Sequence, residues 1–104
     1  MLEILQKLAV EQKVRASAHG FVQSERRGFL FQELVDGLAD AVVIEDYPNY
    51  HLGHAALLLQ RDGVGRAIHV VWGIERGTTE PAVLVTAYHP APAEWSADFR
   101  IRKT

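Results

Sequence analysis

Cysteine is absent from these 104 residues. The chain therefore has no disulfide framework, no zinc–thiolate site and no thiol nucleophile. A surplus of either charge is also missing: eleven Lys and Arg against thirteen Asp and Glu leave −2 with the five histidines neutral. The chain as a whole is thus no polyanion binder, and any nucleic-acid affinity has to come from a local patch. No apolar run approaches the roughly 20 residues needed to span a bilayer. The stretch from Met1 to Val10 carries Glu3 and Lys7 and lacks a basic leader, so it is not expected to be a signal peptide. A soluble, cytoplasmic chain with no membrane partner is the expectation. A Walker A loop, a dinucleotide-binding glycine fingerprint, HExxH and GxSxG are all missing, which argues against those four chemistries. No repeat, low-complexity tract or linker divides the sequence, so residues 1–104 are expected to form a single domain.

What is present is enough for one core, at 48% hydrophobic and 23% charged residues. In the first third, Leu5, Leu8, Ala9, Gln12, Ala16 and His19 recur at steps of three and four, which predicts one helical face. Gly20 weakens the case for an unbroken helix; beyond it, Val22, Gln23 and Arg26 continue the His19 face. After Arg27-Gly28, the spacing of Phe31, Leu34, Val35 and Leu38 predicts a second helix ending near Asp40. The period then changes. Val42 to Ile44, Ala55 to Gln60, Arg66 to Ile74 and Ala82 to His89 read as four strands. Tyr47-Pro48-Asn49, Asp62-Gly63 and the loop from Glu75 to Pro81 separate them. Alternation sets Ile68, Val70 and Trp72 against Ala67, His69 and Val71, and Leu84, Thr86 and Tyr88 against Val83, Val85 and Ala87. The predicted class is α+β, two amino-terminal helices packed on a four-stranded antiparallel β-meander.

The side chains with chemistry fall into three groups. His51 and His54 lie near Asp46, and His69 and His89 sit on neighbouring predicted strands. A metal site would need three or four of them to converge. The plainer reading keeps the loop histidines solvated and His69 half-buried in its strand, with no metal or other cofactor. The second group is His19, Arg26, His69 and Tyr88. Metal-free RNA cleavage needs a base, an acid and a cation for the phosphorane, and these residue types supply them. His19 and Arg26 are about 10 Å apart along a helix, so they can line one groove without touching. Tyr88 and His69 share a face only if the strand register permits, because a slip of one residue separates them. The alternative is a buried histidine bonded to a backbone carbonyl beside a tyrosine that fills the core. The third group is basic: Arg26 and Arg27, then Arg100, Arg102 and Lys103, near Phe29, Phe99 and Trp95. Such cations and rings suit substrate binding by charge and stacking, although a terminal basic run is commonly a solvated tail.

The order of these features resembles a small bacterial family, domain of unknown function 4258. The resemblance is carried by "SAH" around His19, "ERRGF" from Glu25 to Phe29 and "VVIEDYPN" from Val42 to Asn49. It continues in "GRAIHVVW" from Gly65 to Trp72 and "VLVTAYHPAPAEWSADFRIRK" from Val83 to Lys103. The pattern is distantly similar to RelE-type RNase toxins, whose fold sets amino-terminal helices against an antiparallel sheet. The resemblance implies a toxin-like, metal-independent RNase with His19, Arg26, His69 and Tyr88 as its catalytic set. Arg27, Trp95, Arg100 and Arg102 would bind substrate. RNA and a protein partner or antitoxin are the partners it implies, with the oligomeric state open. Two departures stand out: Gln23 where the family often has arginine, and Leu30 where it tends to place a serine or threonine helix cap. If that arginine clamps phosphate, its loss weakens or silences the site. The competing expectation is a non-catalytic interaction module with an exposed apolar patch near Trp95.

Overall fold

The computed structural model describes residues 1–103. Three helices and a five-stranded mixed sheet follow in the order α1 (Leu2–Val10), β1 (Val14–Ala16), α2 (Ala18–Arg26), α3 (Phe31–Asp36), β2 (Val42–Tyr47), β3 (Ala55–Arg61), β4 (Ala67–Ile74) and β5 (Ala82–Tyr88). A 3-10 turn, Gly37–Asp40, extends α3. The meander β2-β3-β4-β5 is antiparallel as expected, but β1 adds a fifth strand, parallel to β5 at the edge. No helix among the described residues is long and apolar enough to cross a membrane.

The amino-terminal third corrects the prediction of one long helix. α1 stops at Val10, and Gln12 adopts a left-handed backbone (φ 58°) that turns the chain out of the helix. Val14, Arg15 and Ala16 then extend along Ala82, Val83 and Leu84. Ser17 opens α2 as its N-cap, accepting a hydrogen bond from the Gly20 amide at 2.9 Å. The side-chain period alone cannot see this interruption, because a three-residue strand leaves the helical spacing on either side nearly in phase. Gly20 is required by contact. A Cβ there would lie 2.5 Å from the Leu84 carbonyl oxygen and 2.8 Å from that of Val85, so α2 rides directly on the β5 backbone. α2 ends in a Schellman arrangement: the Phe29 amide donates to the Ser24 carbonyl, the Gly28 amide to that of Glu25, and Gly28 takes φ 78°.

The helices cover one sheet face. Leu5, Leu8, Leu34, Val35 and Leu38 pack there against Leu58, Ile68, Val70, Trp72 and Leu84. Gln60 is the polar pin of this core. It accepts from the Trp72 indole at 3.0 Å and donates to the Leu34 carbonyl at 2.9 Å, tying α3 to the sheet. The opposite face carries a second apolar cluster of Ala55, Leu57, Val71 and Trp95, with Ile44, Tyr47, Val85 and Phe99 around it. Residues 94–103 form a small loop closed by the Trp95–Arg102 bridge and lie over that face.

Two bulges decide which residues share a face. β5 pairs Val71 with Thr86 but Trp72 with Leu84, so Val85 is an extra residue. Leu84 and Ala87 thus both join the helix-side core, and the expected strict alternation of Leu84, Thr86 and Tyr88 is broken. The second bulge, at Ile44, sets Glu45 opposite Leu57 and Tyr47 opposite Ala55.

Candidate functional site on the second sheet face

Strand pairing places His69 of β4 directly opposite Tyr88 of β5. Their rings meet edge-on at 5.4 Å, and the Tyr88 hydroxyl lies 3.4 Å from His69 Nδ1. On its other side His69 Nε2–H donates to the Phe99 carbonyl at 2.8 Å, which leaves Nδ1 as the acceptor for the Tyr88 hydroxyl. The Trp95 ring stands edge-on to the imidazole at 4.3 Å. Under these groups His69 is fully buried rather than half-buried. Burial disfavours the imidazolium and holds the His69 pKa below its ordinary value, while the Phe99 carbonyl opposes the shift. Burial also raises the Tyr88 hydroxyl.

Next to this pair sits an ion pair that the sequence did not flag. Glu45, from the β2 bulge, accepts Nε–H of Arg102 at 2.8 Å and Nη2–H at 3.1 Å, a two-pronged contact. The Tyr47 hydroxyl donates to the same carboxylate. Arg102 Cζ lies 4.7 Å from the centre of the Trp95 ring. The guanidinium holds Glu45 below the usual carboxylate range. Burial and the adjacent carboxylate push the Tyr47 hydroxyl up to about 12.

The structure thus brings together four of the residues singled out from sequence, His69, Tyr88, Trp95 and Arg102, and adds Glu45 and Tyr47. His19 and Arg26 stand apart, exposed on α2. Arg27 is the α2-end residue that reaches the sheet: its Nη1 donates to the Ala87 carbonyl at 2.7 Å and contacts Thr86 Oγ1 at 3.4 Å. Arg100 is exposed, with Nε 4.0 Å from Asp98. The patch expected at Trp95 is filled, because Trp95 is only 2% exposed. Of the loop histidines, His54 Nε2 contacts Asp46 at 2.5 Å and His51 stacks on Tyr50. Among the described residues, no group of three or more His, Asp or Glu side chains is placed to hold a metal.

Leu30 caps α3 without a side-chain hydrogen bond, as its chemistry requires. In comparisons with known proteins, the model of a domain of unknown function, DUF4258, matches residues 16–89. That is well over half of the chain. The protein belongs to the DUF4258 family. No curated protein and no solved structure matched it. The DUF4258 match contains β2 to β5, His69, Tyr88, Glu45 and Tyr47 and stops short of Trp95, Phe99 and Arg102. The groups that close the sheet face therefore come from outside the matched DUF4258 segment.

Proposed function

We propose that this DUF4258 protein is a metal-independent, toxin-like ribonuclease whose chemistry belongs to the sheet face at His69 and Tyr88. The observation that supports this reading is the register that opposes His69 and Tyr88 on one face, with Glu45 nearby and Arg27 entering from the end of α2. A histidine and a tyrosine hydroxyl supply the acid–base pair, and Arg27 offers N–H groups to a phosphate. His19 and Arg26 belong to this reading as outlying contacts for RNA, and Arg100 extends the basic rim. The distant similarity to RelE-type toxins is part of the same proposal. His69 touches no solvent while residues 94–103 are seated, so cleavage requires the Phe99 stretch of that segment to move off the imidazole.

A second reading is a non-catalytic interaction module, and one observation favours it: both ring nitrogens of His69 are occupied within the protein. Phe21, Val22 and Leu30 are exposed at 50%, 45% and 70% and are the apolar residues such a module presents around α2. A cleft of about 630 Å³ is lined in part by Phe21 and Leu30, and the buried Ser24 hydroxyl on its wall has no partner among the described residues.

The two readings part in one assay. Mixed-sequence fluorescent RNA is incubated in EDTA with the natural chain, with Trp95→Ala, and with Trp95→Ala carrying Tyr88→Phe, each shown folded by circular dichroism. The ribonuclease reading expects cleavage that rises on loosening Trp95 and falls at least tenfold with Tyr88→Phe. No cleavage by any of the three folded proteins leaves the interaction module.

A further inference from the structure

The guanidinium of Arg102 sits in a slot with three walls. One is the Glu45 carboxylate, which takes two parallel N–H donors from it at 2.8 and 3.1 Å. Another is the Trp95 ring beneath it, 4.7 Å away at its centre. The third is the Tyr47 hydroxyl, which holds the carboxylate in place by donating to the oxygen that Nη2 also uses. Glu45 and Tyr47 are fixed in β2, and Trp95 is buried while residues 94–103 are seated. The occupant is less enclosed. The Arg102 side chain is 58% exposed against 29% for Glu45.

We propose that this slot is a guanine-recognition site and that Arg102 fills it in cis. The argument is one of matching donors. In a guanidinium, two N–H groups on one planar carbon point the same way. Guanine offers the same fork along its Watson–Crick edge, N1–H beside an exocyclic N2–H on the carbon they share. Both are flat and stack on an indole. The other bases do not fit. Adenine and cytosine place a ring-nitrogen acceptor beside the amino group, which faces the carboxylate with a lone pair. Uracil sets its single N–H between two carbonyls, and hypoxanthine keeps N1–H but lacks the amino group. A carboxylate already held by a tyrosine hydroxyl, over an indole face, therefore selects guanine among the common bases.

The inference rests on the RNA reading for the polymer that carries the base, but its test uses mononucleotides and no cleavage. Arg102→Ala empties the slot while leaving Glu45, Tyr47 and Trp95. Titration calorimetry of that protein with GMP, IMP and AMP, which share one phosphate, isolates the base. GMP is expected to bind roughly tenfold or more tighter than IMP, the weight of one hydrogen bond to a charged acceptor. AMP is expected to bind more weakly still. The natural chain should bind GMP more weakly than Arg102→Ala does, because its tethered guanidinium competes at high effective concentration. Adding Glu45→Gln should erase the preference for GMP. Equal affinity for the three nucleotides, or no GMP binding by folded Arg102→Ala, overturns the proposal. Should the variant not fold, amide NMR of the natural chain decides. Shifts at Glu45, Tyr47 and the Trp95 indole with GMP but not AMP support the site, and their absence overturns it. RNA cleavage without guanine preference sinks this inference alone, and guanine preference without cleavage sinks only the ribonuclease.

Discussion

His69 carries a consequence that can be read in stability. Its native pKa lies below the ordinary value of about 6.5, chiefly because burial penalises the charged ring. The unfolded chain therefore binds more protons than the native one between that ordinary value and the lowered one. Stability is fully present above about pH 6.5 and falls as pH drops through this window, by at most about 1.4 kcal/mol per pH unit. Urea midpoints measured at pH 7.5 and 5.5 should show that loss in the natural chain. His69→Gln should lower the midpoint at both values and flatten the difference between them. An equal pH dependence in both proteins would mean that the exposed histidines and the carboxylates, not His69, govern it. Much of this residue's setting was legible: a histidine in an apolar strand, with a carbonyl-bonded burial as the plain alternative. The carbonyl's owner, Phe99, was not legible, since thirty residues separate the two and only the folded loop brings them together.

At the scale of elements, the meander and the helix-covered face follow from period and turn chemistry. β1 and both bulges do not. A three-residue edge strand has too few side chains to set a period, and a bulge is one residue that breaks alternation without changing composition. Glu45 was hidden for that reason: the bulge at Ile44 turns it to the face opposite the helices, where a strict alternation would not have placed it. Gly20 reads from sequence as a weakness in a helix, whereas it is where α2 meets β5. Gly20→Ala should cost about 1–3 kcal/mol or more, because the obstructing atoms are backbone carbonyls that cannot swing aside. Thermal denaturation checks it, and a neutral result would show that α2 can shift along the sheet. The Gln60 link makes a companion case. Trp72→Phe removes the indole N–H and leaves Gln60 Oε1 buried without its donor, at a cost of about 1–3 kcal/mol beyond any change in packing. Pairing it with Gln60→Leu separates the two contributions. If the hydrogen bond matters, the double variant loses less than the sum of the singles.

The whole molecule is a sheet with two differently built coats. Helices from the first 40 residues cover one face as a continuous apolar core, while the other is closed by residues 94–103 through the Trp95 indole, the Phe99 ring and carbonyl and the Arg102 guanidinium. The second coat has few anchors, and Trp95 is the largest of them. Replacing it removes the ring that covers His69 and supports Arg102, at a cost of about 3–5 kcal/mol if the segment stays coupled to the core. The arrangement argues for weaker coupling. The helix-side core does not include Trp95, and the segment's remaining polar contacts with the sheet, apart from the His69–Phe99 bond, are at half-exposed groups. Trp95→Ala should therefore leave the far-ultraviolet spectrum close to that of the natural chain while trypsin cuts readily after Arg100 or Arg102. Hydrogen exchange should quicken at Lys103, whose amide bonds to the Glu94 carbonyl, and remain slow in β3 and β4. Loss of the sheet signal together with the segment would instead make both coats one cooperative unit. The sheet face could then never be uncovered in a folded molecule, and a ribonuclease site beneath the segment would have no open state in which to act.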